Sequence, residues 1–369
     1  MFDRVEASDG RRNLGGREKA ERLVELYGEK GFDYVGDHAK DLPVWARAAA
    51  TVVVSPRPSL VRRAQAVCSD VTWLRQAPAG LRPYAKALRL HQWLKNLLVF
   101  VPALAAHRTD APTVVAALMC FLSFGLCASA VYLLNDLLDL PSDRVHHRKR
   151  RRPFAAGTLP LSQGLLLIPL CLAGAIGVAA WLPPAFALVL IGYFAVTCLY
   201  SFWLKNQVVV DVLLLALLYT SRILAGSAAT GIQPTFWLLA LSLFAFLSLA
   251  LVKRYSELLV ALNQNKQTAA GRGYRTDDLP VLMSLGTSAA FMAVMVLALY
   301  IREMEGSARY LHPQALWLLI PPFLYWMARV WMKTHRGEMH DDPVVFAATD
   351  RQSWAVAAVL LVGLLVAAG

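Results

Sequence analysis

The amino-acid sequence predicts an all-α integral membrane bundle of nine transmembrane helices, preceded by a small partial α/β segment of Rossmann-like character. Three observations carry that prediction. Of the 369 residues, 57% are hydrophobic and the mean hydropathy is +0.46, too apolar for an ordinary soluble domain. The apolar residues from about position 86 onward gather into nine runs, most of them near the ~20 residues a helix needs to cross a bilayer. Before them, strand-like and helix-like patterns alternate at short spacing.

Residues 1–66 carry the α/β pattern. "GREKAERLVELYGEKG" has helical spacing, "FDYVGDHAKDLPVW" reads as a short apolar strand ending in Gly-Asp, and "TVVVSPRPSL" as a strand and turn. Residues 67–85 read as a linker or amphipathic approach to the membrane, and 86–369 as the membrane domain. The start, "MFDRVEASDGRR", has no apolar core of a cleavable signal, so insertion is expected to begin at an internal helix.

The nine expected spans are 94–107, 113–135, 164–183, 185–203, 207–229, 234–252, 281–301, 314–332 and 351–369. Lipid offers backbone amides no partners, so these runs must be helices. The five cysteines form no CxxC pair, and four lie in apolar runs, which suits buried thiols better than a disulfide framework or a zinc site. No internal repeat or low-complexity tract stands out.

Charge sets the expected orientation. The 37 Lys and Arg outnumber the 25 Asp and Glu, for a net charge of +12. The 136–163 connection holds Arg144, Arg148, Lys149, Arg150, Arg151 and Arg152, the 253–280 connection Lys253, Arg254, Lys266, Arg272 and Arg275, and the 333–350 connection Lys333 and Arg336. The alternate connections are poorer, with Arg108, Arg302 and Arg309. Basic residues favour the cytoplasmic side, which places the N-terminus in the cytoplasm and, after nine spans, the C-terminus outside a cell inner membrane.

The densest chemistry lies in "VYLLNDLLDLPSDRVHHRKRRRPFAAG". Asp136, Asp139 and Asp143 are spaced i, i+3, i+7, one helical face with Asn135 beside it. Like charges so placed are either neutralised or held by a cation. Carboxylates with an amide oxygen suit Mg²⁺, which keeps waters and takes substrate phosphates. The basic run behind them suits the remaining oxygens of a diphosphate. The plainer reading is a solvated helix end followed by an orientation signal. Pro141 can kink the helix and turn Asp143 off the common face. "LRLHQWLKNLLVF" adds Arg89, His91, Gln92, Lys95 and Asn96 at the mouth of the first span, either as site groups or as interfacial anchors with Trp93 in an aromatic belt. Asp211 and Arg222 lie inside an apolar run, as functional groups or as an ion-paired strut.

From about residue 86 to its end the chain resembles the UbiA superfamily of membrane prenyltransferases, whose Asn-Asp-x-x-Asp-x-x-x-Asp signature reads here as Asn135, Asp136, Asp139 and Asp143. "HQWLKNLLVFVPAL" and "DRVHHRKRRRPFAAGTLP" are most similar to the decaprenyl-phosphate phosphoribosyltransferase branch. The second aspartate-rich motif of members acting on aromatic substrates is replaced by "KRYSE". The resemblance implies Mg²⁺ on Asn135, Asp136, Asp139 and Asp143, with Asp136, Asp139 and Lys95 catalytic. It implies a leaving diphosphate held by Arg144, Lys149 and Arg152, and a second phosphate clamp from Lys205, Lys253, Arg254 and Tyr255. The substrates implied are a phosphorylated sugar donor, phosphoribosyl diphosphate, and a lipid, a polyprenyl phosphate or diphosphate. Two alternatives stay open: prenyl transfer from a polyprenyl diphosphate to an aromatic or other acceptor, and a transporter whose pathway is lined by Asp211 and Arg222. Nucleic acid is not an expected partner, because the basic run abuts a span and has no interleaved aromatics.

Residues 1–66 resemble the C-terminal part of a haloacid-dehalogenase-like phosphatase. Ser8, Lys19, and the group Gly36, Asp37 and Asp41 match its later motifs. The nucleophilic aspartate strand of that family belongs upstream of Met1, and without it no aspartyl-phosphate forms, so phosphatase turnover is not expected.

Overall fold

The computed structural model describes residues 5–8, 13–55, 57–74, 80–145, 149–268, 272–305, 310–339 and 342–368. The chain divides into two compact units, Met1–Leu81 and Arg82–Gly369.

In the first unit, β1 (Tyr34–Gly36), β2 (Thr51–Val54) and β3 (Val71–Leu74) form a parallel sheet in that order. Val35 pairs with Val52, and Val52 with Thr72. The helices are α1 (Arg17–Tyr27), α2 (Leu42–Trp45) and α3 (Pro58–Gln65). β-Branched residues suit the pleat of β2, and Pro58 starts α3 where its missing N–H is not needed. Trp45, Val53, Leu60, Val61 and Ala64 make the core. β3 corrects the expected linker at 67–85. Val71–Leu74 pairs with β2, and it is this pairing with a strand some twenty residues earlier, not its local pattern, that makes it a strand.

The second unit holds α4 (Leu81–Ala87), then a 3₁₀ stretch Leu90–Phe100 running into α5 (Val101–Ala105). After it come α6 (Ala111–Leu138), α7 (Leu140–Val145), α8 (Leu161–Ala179), α9 (Pro184–Phe202) and α10 (Val210–Thr230). The remainder are α11 (Phe236–Asn263), α12 (Leu279–Met304), α13 (Ile320–His335), α14 (Pro343–Thr349) and α15 (Arg351–Ala368). Among the described residues eight helices are long and apolar enough to span a bilayer. The expected ninth, 94–107, is broken into the 3₁₀ stretch and the five-residue α5, with Pro102 in its first turn. It packs close to α10 because Gly226 has no side chain, and a Cβ there would collide with the Val99 carbonyl.

α11 also outruns its expected end at 252 and carries Lys253, Arg254 and Glu257 on the helix instead of in a loop. The bundle is tied where small residues let helices approach. The Trp331 ring fills the space over Gly286, its Nε1 donating to Ser248 Oγ, which donates in turn to the Gly286 carbonyl. Trp93 lies against Gly125 and donates to Ser129 Oγ, so its ring packs on α6. Leu165, Leu166, Leu170 and Ile176 on α8 are each more than 60% exposed, a surface suited to acyl chains.

Candidate active site

A cavity of about 340 Å³ opens among α6, α9, α10 and α11, with Arg89, Lys95, Arg152 and Pro343 in its wall. Asn135, Asp136 and Asp139 line it from the end of α6. Asp139 caps α6, its N–H donating to the Asn135 carbonyl, and the Asp143 N–H donates to the Asp139 carbonyl at 2.9 Å. Pro141 falls in the first turn of α7, where a proline costs little.

The basic residues answer these acids one by one. Asp136, buried, accepts from Arg89 Nη2 at 2.5 Å and from Arg152 Nη1 at 3.1 Å. The same Arg152 Nη1 donates to Asp143 Oδ2 at 2.7 Å. Asp139 is 37% exposed, with Lys205 Nζ at 3.8 Å. Asn135 Nδ2 donates to Ser201 Oγ on α9 at 3.1 Å. Arg89 also stacks over the Tyr132 ring, 4.7 Å from its centroid. Two arginines are thereby oriented on the cavity wall by one buried carboxylate.

The opposite wall is built from α11 and the connection after it. Lys253 and Glu257 line the cavity together with Arg272. The Lys253 side chain makes no hydrogen bond or ion pair among the described residues. Arg272 Nη1 donates to Tyr200 Oη at 3.3 Å and to the Lys205 carbonyl at 3.0 Å. Lys95 forms an ion pair with Asp342, the N-cap of α14. Burial pushes the Asp342 carboxyl up, but the Lys95 ammonium and, at longer range, Lys253 more than reverse this and hold it below the usual carboxylate range.

Of the residues expected in the site, Lys95, Asn135, Asp136, Asp139, Lys149, Arg152, Lys205 and Lys253 line the cavity. Four lie off it. Asp143 is buried behind Arg152. Arg144 is exposed on α7. Arg254 turns into the bundle, where Asp211, Glu257 and Tyr200 take its guanidinium. Tyr255 packs edge-on to Trp331 and bonds His335 Nδ1 at 3.1 Å. Asp211 and Arg222, read together as one possible strut, part company, since Asp211 pairs with Arg254 and Arg222 lines the cavity. Of the basic run, residues 146–148 lie outside the described residues. Tyr200, Arg272 and Asp342 are the groups the sequence reading missed. An Asp directly before a Pro that opens a helix signals Asp342 as a cap, but nothing local signals its partner 247 positions away.

The acidic ridge can be tested for Mg²⁺. Among the described residues no three His, Cys, Asp or Glu side chains converge as a ready-made cage. Mg²⁺ does not require one, because it is held by one or two carboxylates with water and substrate phosphate oxygens completing its shell. Asp136, Asp139 and Asn135 offer that donor set on the cavity wall, and Asp143 Oδ1 is a buried acceptor without a partner. The residues fit the ion as an incomplete set that a phosphate completes. Among the described residues the wall carries eight Lys and Arg side chains against three Asp and Glu.

In the first unit Lys19 Nζ donates to Tyr34 Oη at 3.0 Å and lies 3.5 Å from Asp41 Oδ1, to which Tyr34 Oη donates at 3.2 Å. The Tyr34 hydrogen bond, against the effect of burial, holds the Lys19 ammonium above its ordinary value. Asp37 is exposed on the turn after β1, and Ser8 is exposed and accepts from the Leu14 N–H. Gly36 is required where it stands, since a Cβ would lie 2.8 Å from Asp41 Oδ2.

Comparison with known proteins bears on the second unit above all. Residues 96–354 match the model of the UbiA prenyltransferase family. The chain is 37% identical to the uncharacterized protein y4nM of Sinorhizobium fredii, over 97% of this chain and 70% of that one. It is 36% identical to decaprenyl-phosphate phosphoribosyltransferase of Mycobacterium tuberculosis, over 63% of this chain and 78% of that one. Its fold is similar to that of a UbiA homolog from Archaeoglobus fulgidus solved bound to GPP and Mg²⁺, with a TM-score of 0.58 at 16% identity, covering 77% of this chain and 98% of that one.

Proposed function

The chain belongs to the UbiA prenyltransferase family, and on that premise we propose that it transfers the 5-phosphoribosyl group of phosphoribosyl diphosphate to a polyprenyl phosphate. The excess of eight cationic over three acidic side chains among the described residues of the cavity wall carries this reading. A prenyl diphosphate and an uncharged aromatic acceptor present one anionic group, whereas a phosphoribosyl diphosphate and a lipid phosphate present three. The wall facing the acidic ridge is basic, with Lys253 and Arg272 where a second metal-binding acid motif would otherwise stand. The identity to a protein named for phosphoribosyl transfer supports the same reading.

Asp136, Asp139 and Asn135 would hold Mg²⁺, which when bound supplies charge neutralisation to a leaving diphosphate. Arg89 and Arg152, locked by Asp136, donate to the diphosphate oxygens as the ribosyl C1–O bond lengthens. Lys149 adds a cation to the same side. Donors fixed in advance in a water-poor cavity stabilise developing charge without reorganising, worth several kcal/mol. Lys205 and Lys253 hold the acceptor phosphate, whose oxygen attacks C1 while its tail leaves into the bilayer. The N-terminus and the basic connections lie on the cytoplasmic side, where the soluble donor is found.

For the first unit we infer no phosphatase turnover. The Lys19 ammonium is already engaged by Tyr34 and Asp41 and is not held ready for a phosphoryl group.

The test is a donor screen on the purified full chain with decaprenyl phosphate and labelled phosphoribosyl diphosphate, with and without Mg²⁺. A Mg²⁺-dependent lipid-linked ribose phosphate is expected. Labelled aromatic product from a polyprenyl diphosphate, with no transfer from the sugar donor, would replace this reading with prenyl transfer.

A further inference from the structure

Two buried arginines in the bundle are built differently. Arg254, 1% exposed, is neutralised by Asp211 at 2.5 Å and Glu257 at 2.5 Å, and it is not part of the cavity wall. Arg222, 5% exposed, is part of that wall and has no carboxylate partner among the described residues. Its Nε donates to Asn96 Oδ1 at 3.0 Å, its Nη1 to the Leu218 carbonyl and its Nη2 to Tyr193 Oη at 3.4 Å, all neutral acceptors. The rings of Phe124, Tyr193 and Tyr219 surround it at 5.4–5.5 Å. A guanidinium has five N–H donors, so two remain for another acceptor.

Asn96 makes the same demand. It is 1% exposed, its oxygen is taken by Arg222, and its Nδ2 has no acceptor. Lys95 shares the Tyr219 ring with Arg222, the two cations lying 5.5 Å from its centroid. A strut in a membrane bundle is paired as Arg254 is, because an uncompensated buried cation is costly. An unpaired cation on a cavity wall beside an orphaned amide N–H is a site waiting for an anionic oxygen.

We propose that Arg222, positioned by Asn96, is a phosphomonoester subsite at the inner wall of the cavity, separate from the diphosphate-binding ridge at Asp136. The inference rests on the transferase reading of the same cavity. A phosphomonoester could come from two sources, the 5-phosphate of the sugar donor or the headgroup of the polyprenyl phosphate, which would then sit at Arg222 in place of Lys205 and Lys253.

The test uses Asn96→Asp, an isosteric change that puts a carboxylate against the guanidinium, with the full chain in detergent. Binding of ribose 5-phosphate, geranyl phosphate and, as control, Mg²⁺ with inorganic pyrophosphate is measured by calorimetry, and Tm is measured without ligand. One phosphomonoester is expected to bind Asn96→Asp at least tenfold more weakly than wild type. Pyrophosphate should change less than twofold and Tm should rise. The probe that weakens identifies the source. A strut would give the same rise in Tm with both phosphomonoesters bound as in wild type, and that result overturns the proposal. It is overturned equally if wild type binds pyrophosphate and neither phosphomonoester. Failure to bind Mg²⁺ with pyrophosphate strikes the ridge reading instead. Arg222→Lys, which keeps the charge but loses the fork, gives the same comparison if Asn96→Asp does not fold.

Discussion

Arg254 and Asp211 form an ion pair on facing helices, Nε to Oδ2 at 2.5 Å, with side chains 1% and 0% exposed. Tyr274 Oη donates to the other oxygen of Asp211 at 2.6 Å and accepts the Val209 N–H at 2.8 Å, fixing the start of α10. Removing one partner leaves a buried charge uncompensated, at a cost of about 3–5 kcal/mol. Asp211→Ala is expected to lower Tm sharply in detergent, and adding Arg254→Met should recover part of the loss. An unchanged Tm in the single variant would show that the pair is not structural.

Asp136 orients Arg89 and Arg152, so Asp136→Asn should reduce transfer at least ~100-fold, the scale of a lost electrostatic contact to a developing charge. The protein should still elute as a folded species. Tyr255→Phe, away from the cavity, should stay within about twofold of wild type, since only one modest hydrogen bond is lost. Full activity in Asp136→Asn would remove the ridge from the chemistry.

Chelation separates fold from turnover. With EDTA, transfer should fall to background and return on adding Mg²⁺, while Tm without substrate stays unchanged, because the ridge carboxylates already have arginine and lysine partners. In Asp139→Asn the Mg²⁺ concentration for half-maximal activity should rise about tenfold, as one charged ligand is lost. A large fall in Tm on chelation would mean that the ion is structural.

Gly226 allows the Val99 carbonyl to lie against α10. Gly226→Val should cost about 1–3 kcal/mol, the usual price of overpacking. It should also disturb the cavity wall at Lys95 and Asn96, which belong to the same 3₁₀ stretch. Thermal unfolding alongside the activity assay measures both effects, and a neutral outcome would show that the stretch can shift freely.

Asp350 precedes α15 and is held down to about 2, first by its hydrogen bond to Arg329 and then by the Ser353 N–H and hydroxyl. A carboxylate whose folded value is depressed adds stability above its unfolded value near 4, and loses it as pH falls toward 2. The Tm gap between wild type and Asp350→Asn should be full at pH 6 and close progressively between about pH 4 and 2. A gap that persists undiminished at pH 2.5 would contradict the pairing.

The membrane class, the positions of most spans and the acidic ridge are all legible in the sequence, because each is a local pattern. Hydropathy over twenty residues is a property of a segment, and Asn135, Asp136 and Asp139 share the end of one helix, whereas Asp143, past Pro141, lies off the cavity behind Arg152. The first expected span departs from the pattern for the converse reason. Its apolar content is that of a helix, yet it is wound as a 3₁₀ stretch whose Val99 carbonyl packs against Gly226, more than a hundred positions away. Which of the many basic residues face the cavity could not be read either. Arg254 and Lys253 are neighbours on one helix, yet Asp211 draws the first inward while the second lines the cavity. Arg254 has Glu257 three residues on, but its fully buried partner Asp211 comes from another helix, while Arg222 meets no carboxylate among the described residues. Charge pairing acts over a few ångströms between segments far apart in the chain, so most of it belongs to the packed bundle and not to the local sequence.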